Sequence, residues 1–428
     1  MREKNYILRG SICYSTKPEQ LQTIEQGYLV CVDGKSCGVY KTLEALPENY
    51  QMLPIKDYGD KLIIPGLVDL HLHASQYAFR GLGMDMELIE WLNVNTFPEE
   101  AKYADTSYAM RAYSQFVKNL QQGATTRACI FATIHTDATE LLMDLLEKSG
   151  LYTMVGKVNM DRNAPENLCE ENAETSAADT IKWIEECQEK YQNTKPIITP
   201  RFIPSCTDEL MIKLSQIRRD YKLPVQSHLS ENPREIQWVQ ELCPQTSGYA
   251  DAYDQAGILG GPGHEIMAHC VYLTEEEEKL LLERGVYIAH CPDSNTNLAS
   301  GAAPIRRYLE HGLHVGLGTD IAGGYSDSIF SQMAEAIRVS KLRWRLFDDT
   351  LRPLTLAEAF YMGTMGGGAF FGKVGSFIKG YEFDAVVLDD SKLKAPYSMT
   401  ALQRLERAVY LPEKCEVTAK YVAGNKVI

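Results

Sequence analysis

Nine histidines occur in the 428 residues, and four of them sit where one reactive centre could be built. His71 and His73 lie in Asp69-Leu70-His71-Leu72-His73. In a strand, residues i and i+2 project to the same side, so these two imidazoles can chelate one metal ion. Standing alone, the pair has a lesser alternative reading, two polar residues at a strand end. It does not stand alone. Gln226-Ser227-His228 and Met267-Ala268-His269 each close an apolar run with a histidine. Gly316-Leu317-Gly318-Thr319-Asp320 closes another with a carboxylate. Any one of these histidines would serve as well in a satisfied core, but several at successive strand ends point to ligation. Three or four imidazoles with one carboxylate suit Zn²⁺, with Fe²⁺ as the alternative.

A catalytic zinc site keeps one position open for water and lowers that water's pKa to about 7. The chemistry then needs a proton carrier outside the ligand set. Glu231, three residues after His228, is so placed, and a carboxylate there can reach both water and substrate. Its structural alternative is to cap the helix that starts near Pro233. His290 ends a further strand and reads as a pocket or supporting residue. Asp293, Ser294 and Asn295 read as loop structure, His135 as either, and His264, His311 and His314 as surface or packing residues.

These residues need a frame that brings strand ends together. Apolar runs at Gly66–His71, Ala124–Ile130, Tyr152–Asn159, Pro196–Phe202, Val225–His228, Ile266–His269, Val286–His290 and Val315–Thr319 read as strands. Amphipathic helical patterns separate most of them, for example 137–148, 177–191, 208–221 and 275–283. Eight strands alternating with helices predict a parallel (β/α)8 TIM-like barrel, whose C-terminal strand ends converge on one site. The barrel is expected over 66–372. The flanks, 1–65 and 373–428, read as β-rich: Tyr6–Leu8, Gly27–Val32, Ala385–Leu388, Ala408–Tyr410 and Val417–Val422, with turns at Asp33-Gly34 and Gly424-Asn425. Neither flank carries enough apolar residues for its own core, so the two are expected to pair into one small β-sandwich domain.

Composition narrows the function further. Asp and Glu number 57 against 43 Lys and Arg, a formal charge of −14. Such a surface repels phosphate backbones and anionic membranes, so neither nucleic acid nor membrane is an expected partner. No apolar run approaches a bilayer span, and the mixed charges of Met1–Asn5 do not make a signal peptide. Eleven irregularly spaced cysteines without a C-x-x-C pair fit reduced thiols in the cytoplasm.

With those residues in view, Pro65-Gly66-Leu67-Val68-Asp69-Leu70-His71-Leu72-His73 resembles the opening strand of the amidohydrolase superfamily. His228, His269 and Asp320 match its remaining ligand positions, and Gly375–Ala385 resembles its return into the β-sandwich. Binuclear members carry a carboxylated lysine at the end of the fourth strand. Here that strand ends Thr199-Pro200-Arg201-Phe202, with Lys195 before it, so the resemblance implies one Zn²⁺ per chain. Within the superfamily, His73-Ala74-Ser75-Gln76-Tyr77, Arg201-Phe202-x-x-Ser205-Cys206, Gln226–Asn232 and Gly318–Ser326 resemble the guanine deaminases. Ile203-Pro204 and Arg80–Met86 depart from that pattern. The likeness implies hydrolytic deamination of guanine in purine catabolism by a cytoplasmic homodimer. Glu231 would shuttle the proton. Asp320 and His269 would assist, and Gln76, Arg201, Phe202, His228 and His269 would contact the purine. Trp91, Phe97 and Tyr325 are candidates to cover the pocket. The alternatives are another deaminase of the superfamily, acting on a pterin, an adenosyl thioether nucleoside or cytosine, or a metal-free scaffold. The ligand set and Glu231 speak against the scaffold. The unrelated zinc deaminases need H-x-E and P-C-x-x-C, and neither occurs here.

Overall fold

The computed structural model describes residues 4–428; of the Met1–Asn5 start, residues 1–3 lie outside it. Eight parallel strands form the frame of the site: β1 (Leu67–His73), β2 (Thr125–Phe131), β3 (Tyr152–Gly156), β4 (Thr194–Pro196), β5 (Val225–Leu229), β6 (Glu265–His269), β7 (Tyr287–His290) and β8 (His314–Leu317). They hydrogen-bond as two four-stranded arcs, β1 to β4 and β5 to β8. The ladder is not continuous around the ring. One seam is spanned by a single parallel bridge, Ile198 to Val225. Across the other, the Asp320 N–H donates to His71 O (2.8 Å) and the His73 N–H to Ile321 O (3.0 Å). Two short strands, Val158–Asn159 and Thr199–Pro200, pair separately, so the third and fourth runs are each broken into two pieces.

β1 and β2 are buried along their whole length, as strands covered on both faces must be. Helices of expected amphipathic period cover the arcs, among them Thr136–Ser149, Ala173–Cys187, Asp208–Tyr221 and Glu275–Arg284. Inside the ring, Val68, Leu70, Cys129, Ile197, Ile266 and Ala268 form a packed plug below the strand ends.

The chain ends meet as expected, in one seven-stranded sheet. Its centre is Ile55–Pro65, parallel to Tyr6–Lys17 and antiparallel to Ala385–Asp389. The sheet curls on itself: Tyr6 stacks 5.4 Å from Tyr421 although two strands lie between them in the ladder. That inner face holds Leu8, Leu29, Ile63 and Val387, while Leu62, Ile64, Val386 and Leu388 face the main core. The alternation is the period-2 pattern of a sheet buried on both sides. Asp33 and Gly34 both take positive φ (50° and 76°), as a type I′ hairpin turn requires. The second turn is centred on Ala423-Gly424, one residue earlier than expected.

One expected strand is wrong. Ala408–Tyr410 is the end of a helix, Ala401–Tyr410, capped by Thr400 with Gln403. Ala401, Leu405, Ala408 and Val409 are its buried residues. That spacing is helical, and a three-residue window cannot distinguish it from a strand.

Candidate active site

The parity of β1 changes just before its histidines. Val68 and Leu70 point into the ring and Leu72 outward, yet His71 and His73 also reach inward. The β1–β2 register is irregular between Asp69 and Leu72, and such a bulge re-aims side chains beside active sites. His228 is the last residue but one of β5, His269 ends β6, and Asp320 follows β8. Ser230, His269 and Asp320 hold φ of 49°, 72° and 45°. For non-glycine residues this is local strain of the kind that clusters at functional sites.

The five expected ligands converge. His71 Nε2 lies 3.1 Å and His73 Nε2 3.5 Å from Asp320 Oδ1. His73 Nε2 is 3.1 Å from His228 Nε2, and His269 Nε2 is 3.7 Å from Asp320 Oδ2. The His228 Nδ1–H donates to Arg201 O (2.6 Å) and the His269 Nδ1–H to Asn295 Oδ1 (2.8 Å). Those tautomers follow from the partners, and each turns an Nε2 lone pair toward the centre. His71 is fully buried; its Nδ1 has no hydrogen-bond partner among the described residues, and its Nε2, though 3.1 Å from Asp320 Oδ1, makes no well-formed hydrogen bond. A buried polar group without a partner is costly. A cation among these nitrogens removes the cost, so the donor set fits a divalent metal. Burial holds His71, His73 and His228 below the usual imidazole pKa, in the neutral form that ligates. Asp320 is held well below the carboxylate range: burial pushes it up, but His71, His269 and His73 together outweigh that. Cys291 also comes within reach of His71, His269 and Asp320. Burial drives its thiol far up, which leaves it a neutral wall.

Glu231 sits beside this cluster. Its Oε2 is 3.5 Å from His269 Nε2, and its Oε1 accepts from Ser300 Oγ (2.9 Å). Burial is the main force raising its pKa to about 7, with Glu235 and Asp320 adding and His269 and Ser300 opposing. It does not cap the next helix. Asn232 does so, with Glu235 completing a capping box. Asp69 accepts from the backbone N–H of Thr319 (3.0 Å) and His71 (3.2 Å) and from Thr319 Oγ1 (2.5 Å), tying β1 to the segment after β8.

Across from the metal cluster, Gln76, Arg201, Phe202 and Trp91 line the same cavity as His73, His228, Glu231, His269 and Asp320, with about 420 Å³ of empty space including the mouth. Gln76 Oε1 accepts from the Ala322 N–H (2.9 Å). Gln76 Nε2 and Arg201 Nη1 both donate to Glu100 (2.8 and 2.6 Å). Phe202 meets Trp238 edge-on at 6.2 Å. Phe97 lies under Arg201, 5.4 Å from its guanidinium carbon. Tyr325 lies elsewhere, 55% exposed in a separate groove with Tyr77 and Arg80. Lys195 donates to Tyr191 O. His290 lies outside the cavity lining; His264 and His314 pack on Tyr287, and His311 pairs with Glu278. His135 lines a third groove. Pro204 fits in the first turn of a short 3₁₀ helix. Arg80, in the segment without a family match, pairs with Asp327 (2.8 Å).

Sequence reasoning missed Asp69, Glu100 and Ser300, and it read Asn295 as loop structure although Asn295 orients His269. An asparagine just after a strand-end histidine was a faint signal; Glu100 and Ser300 offered none.

An amidohydrolase family model matches residues 62–427. The guanine deaminase of Dictyostelium discoideum is 38% identical over 379 residues, covering 87% of this chain and 83% of that protein. The guanine deaminase of Rattus norvegicus is 36% identical, covering 100% and 97%. A crystal structure of guanine deaminase from C. acetobutylicum with guanine in its active site superposes with a TM-score of 0.95 at 44% identity, covering 99% of this chain and all of that one. The chain belongs to the amidohydrolase family.

Proposed function

We propose that this chain catalyses the hydrolytic deamination of guanine to xanthine and ammonia. One observation carries the reading: a single cavity is lined by the candidate metal ligands His73, His228, His269 and Asp320, by Glu231 with its carboxyl near pKa 7, and by the donor-rich pair Gln76 and Arg201. Likeness to guanine deaminases over the whole chain supports it.

In this reading His71, His73, His228 and Asp320 hold the ion, and His269 completes the set or contacts water and substrate. When bound, the ion supplies Lewis acidity that makes water nucleophilic near neutral pH. Asp320 accepts a proton from the attacking water, whose oxygen adds at C2, while Glu231 gives its proton to N3. A carboxyl near pKa 7 can both give and take a proton at neutral pH. Asp320 then passes that proton to the 2-amino group, directly or through Glu231. The C2–N bond breaks and ammonia leaves; the proton of the C2 hydroxyl returns to Glu231, and C2 keeps the oxygen as a carbonyl. Arg201 has only donors, so it suits the guanine O6 and rejects the amino group of adenine. Gln76 reads a ring N–H or nitrogen, and Phe202 offers a face or edge to the ring. The reading extends to one Zn²⁺ per chain, a catalytic unit over 66–372 with 1–65 and 373–428 as its companion, and a cytoplasmic homodimer in purine breakdown.

Zinc-loaded protein should release ammonia from guanine as xanthine appears by ultraviolet absorbance. Adenine, cytosine and a pterin run beside it should stay intact. Hydrolysis of one of those, with guanine untouched, would keep the metal chemistry and discard the substrate assignment.

A further inference from the structure

We infer that Glu100 is a specificity-determining positioning residue. Its carboxylate holds the Gln76 amide and the Arg201 guanidinium in fixed attitudes, so that together they favour a purine with oxygen at C6. The inference rests on the guanine reading above.

Glu100 ends the short helix Phe97–Glu100 and is 3% exposed. It is not among the residues lining the cavity, so it acts through others. Its two oxygens are divided: Oε1 accepts from Gln76 Nε2 at 2.8 Å, and Oε2 from Arg201 Nη1 at 2.6 Å. Gln76 is held at its other end as well, because its Oε1 accepts from the Ala322 N–H at 2.9 Å. A flipped amide would set its NH₂ against that N–H and its carbonyl against the carboxylate. The order of donor and acceptor that Gln76 shows to the cavity is therefore fixed. Arg201 is fixed by the same carboxylate and by Phe97 beneath it, and its remaining N–H groups are all donors. Donors held rigidly opposite a C6 substituent pair with a carbonyl and clash with an amino group. Such a buried polar site discriminates strongly because the wrong partner leaves its groups unpaired. The adjacent Glu99 differs: it pairs with Lys102 and accepts from Tyr108.

The test is E100Q. An amide offers the two donors one oxygen and one NH₂, so either Gln76 or Arg201 loses its acceptor. The readout is kcat/KM for guanine against 2,6-diaminopurine, which keeps the reacting 2-amino group and carries an amino group at C6. We expect guanine kcat/KM to fall about 10- to 100-fold. The preference for guanine should shrink by at least about tenfold in folded protein with metal content unchanged, Tm falling because the buried Arg201 loses its counter-charge, and E99Q should match the wild type. E100D, which keeps both acceptors on a shorter stem, should fall between. An unchanged preference, whatever the rate, overturns the assignment. So does failure of both E100Q and E100D to yield folded, metal-loaded protein, because Glu100 would then be structural. Absence of guanine turnover in the wild type alone would sink the functional reading, and this inference with it.

Discussion

Replacing Glu231 by glutamine tests the proton shuttle most directly. Glu231→Gln keeps the side chain's size and keeps an oxygen to accept the 2.9 Å bond from Ser300. The helix that follows is capped by Asn232 and Glu235, so the fold does not depend on the Glu231 carboxylate. Stability should change by no more than about 1 kcal/mol, the scale of one altered hydrogen bond. Metal content should hold, because the proposed ligands His71, His73, His228 and Asp320, and His269 beside them, are untouched. Turnover should not hold. A general acid–base group contributes about 10²- to 10⁴-fold. Glu231 is asked to act twice, at N3 and at the leaving amine, so the loss belongs at the upper end. A factor of about 10⁴ is about 5.4 kcal/mol of activation free energy. Three measurements decide: xanthine formation by ultraviolet absorbance, metal per chain by atomic absorption, and Tm. A fully loaded variant within about tenfold of wild-type kcat would refute the shuttle. Loss of metal with the activity would refute it differently, by making Glu231 a ligand.

Arg201→Ala should raise KM for guanine and erode its preference over adenine; because it strands the Glu100 carboxylate, it should also cost about 3–5 kcal/mol of stability. An unchanged preference removes Arg201 from the recognition set. Asn295→Ala removes the acceptor of the His269 Nδ1–H and should weaken metal affinity about 10- to 100-fold in a chelator competition; unaltered affinity would leave Asn295 a packing residue of the helix Pro292–Asn297. Lys420 is buried against the carbonyls of Leu120, Gln121 and Thr125, and burial pulls its pKa down to about 7. Between pH 7 and its unfolded value of about 10.4 the unfolded chain binds more protons than the folded one, so the sign is a gain in stability as pH rises. Urea midpoints at pH 7 and pH 10 should therefore show the wild type gaining about 2–4 kcal/mol over Lys420→Met. A pH-independent difference would mean that the three carbonyls keep the ammonium charged.

What was legible in the sequence was local and repeated. His71 with His73, and the histidines closing β5 and β6, announce themselves because each ends an apolar run. The helix Asp208–Tyr221 was readable to the residue because Thr207 caps it and its apolar period is regular. Ala408–Tyr410 failed for the opposite reason: three residues carry no period. The inward turn of His71 was not legible either, because it depends on a register irregularity with β2. Glu100 shows the deeper limit. It finds Gln76 across 24 residues and Arg201 across 101, and in the sequence it is one of two adjacent glutamates. Both are buried, and nothing local marks which of them meets Gln76 and Arg201.

The two halves of the site share one strip of backbone. In the four residues 319–322, just beyond β8, Thr319 is clasped by Asp69, the Asp320 N–H donates to His71 O, Ile321 O accepts from His73, and the Ala322 N–H holds Gln76. Asp320, which faces the other candidate ligands, and the Ala322 N–H, which holds the Gln76 side chain, are thus separated by a single residue on a segment bonded to β1. Arg201 makes a second link: its carbonyl orients His228 while its guanidinium lines the cavity. In the proposed reading, a substrate that moves Gln76 or Arg201 would also strain the backbone that carries the candidate ligands Asp320 and His228. This physical connection is why Glu100, which touches neither metal cluster nor cavity, can set selectivity: it closes the loop between the two links from outside.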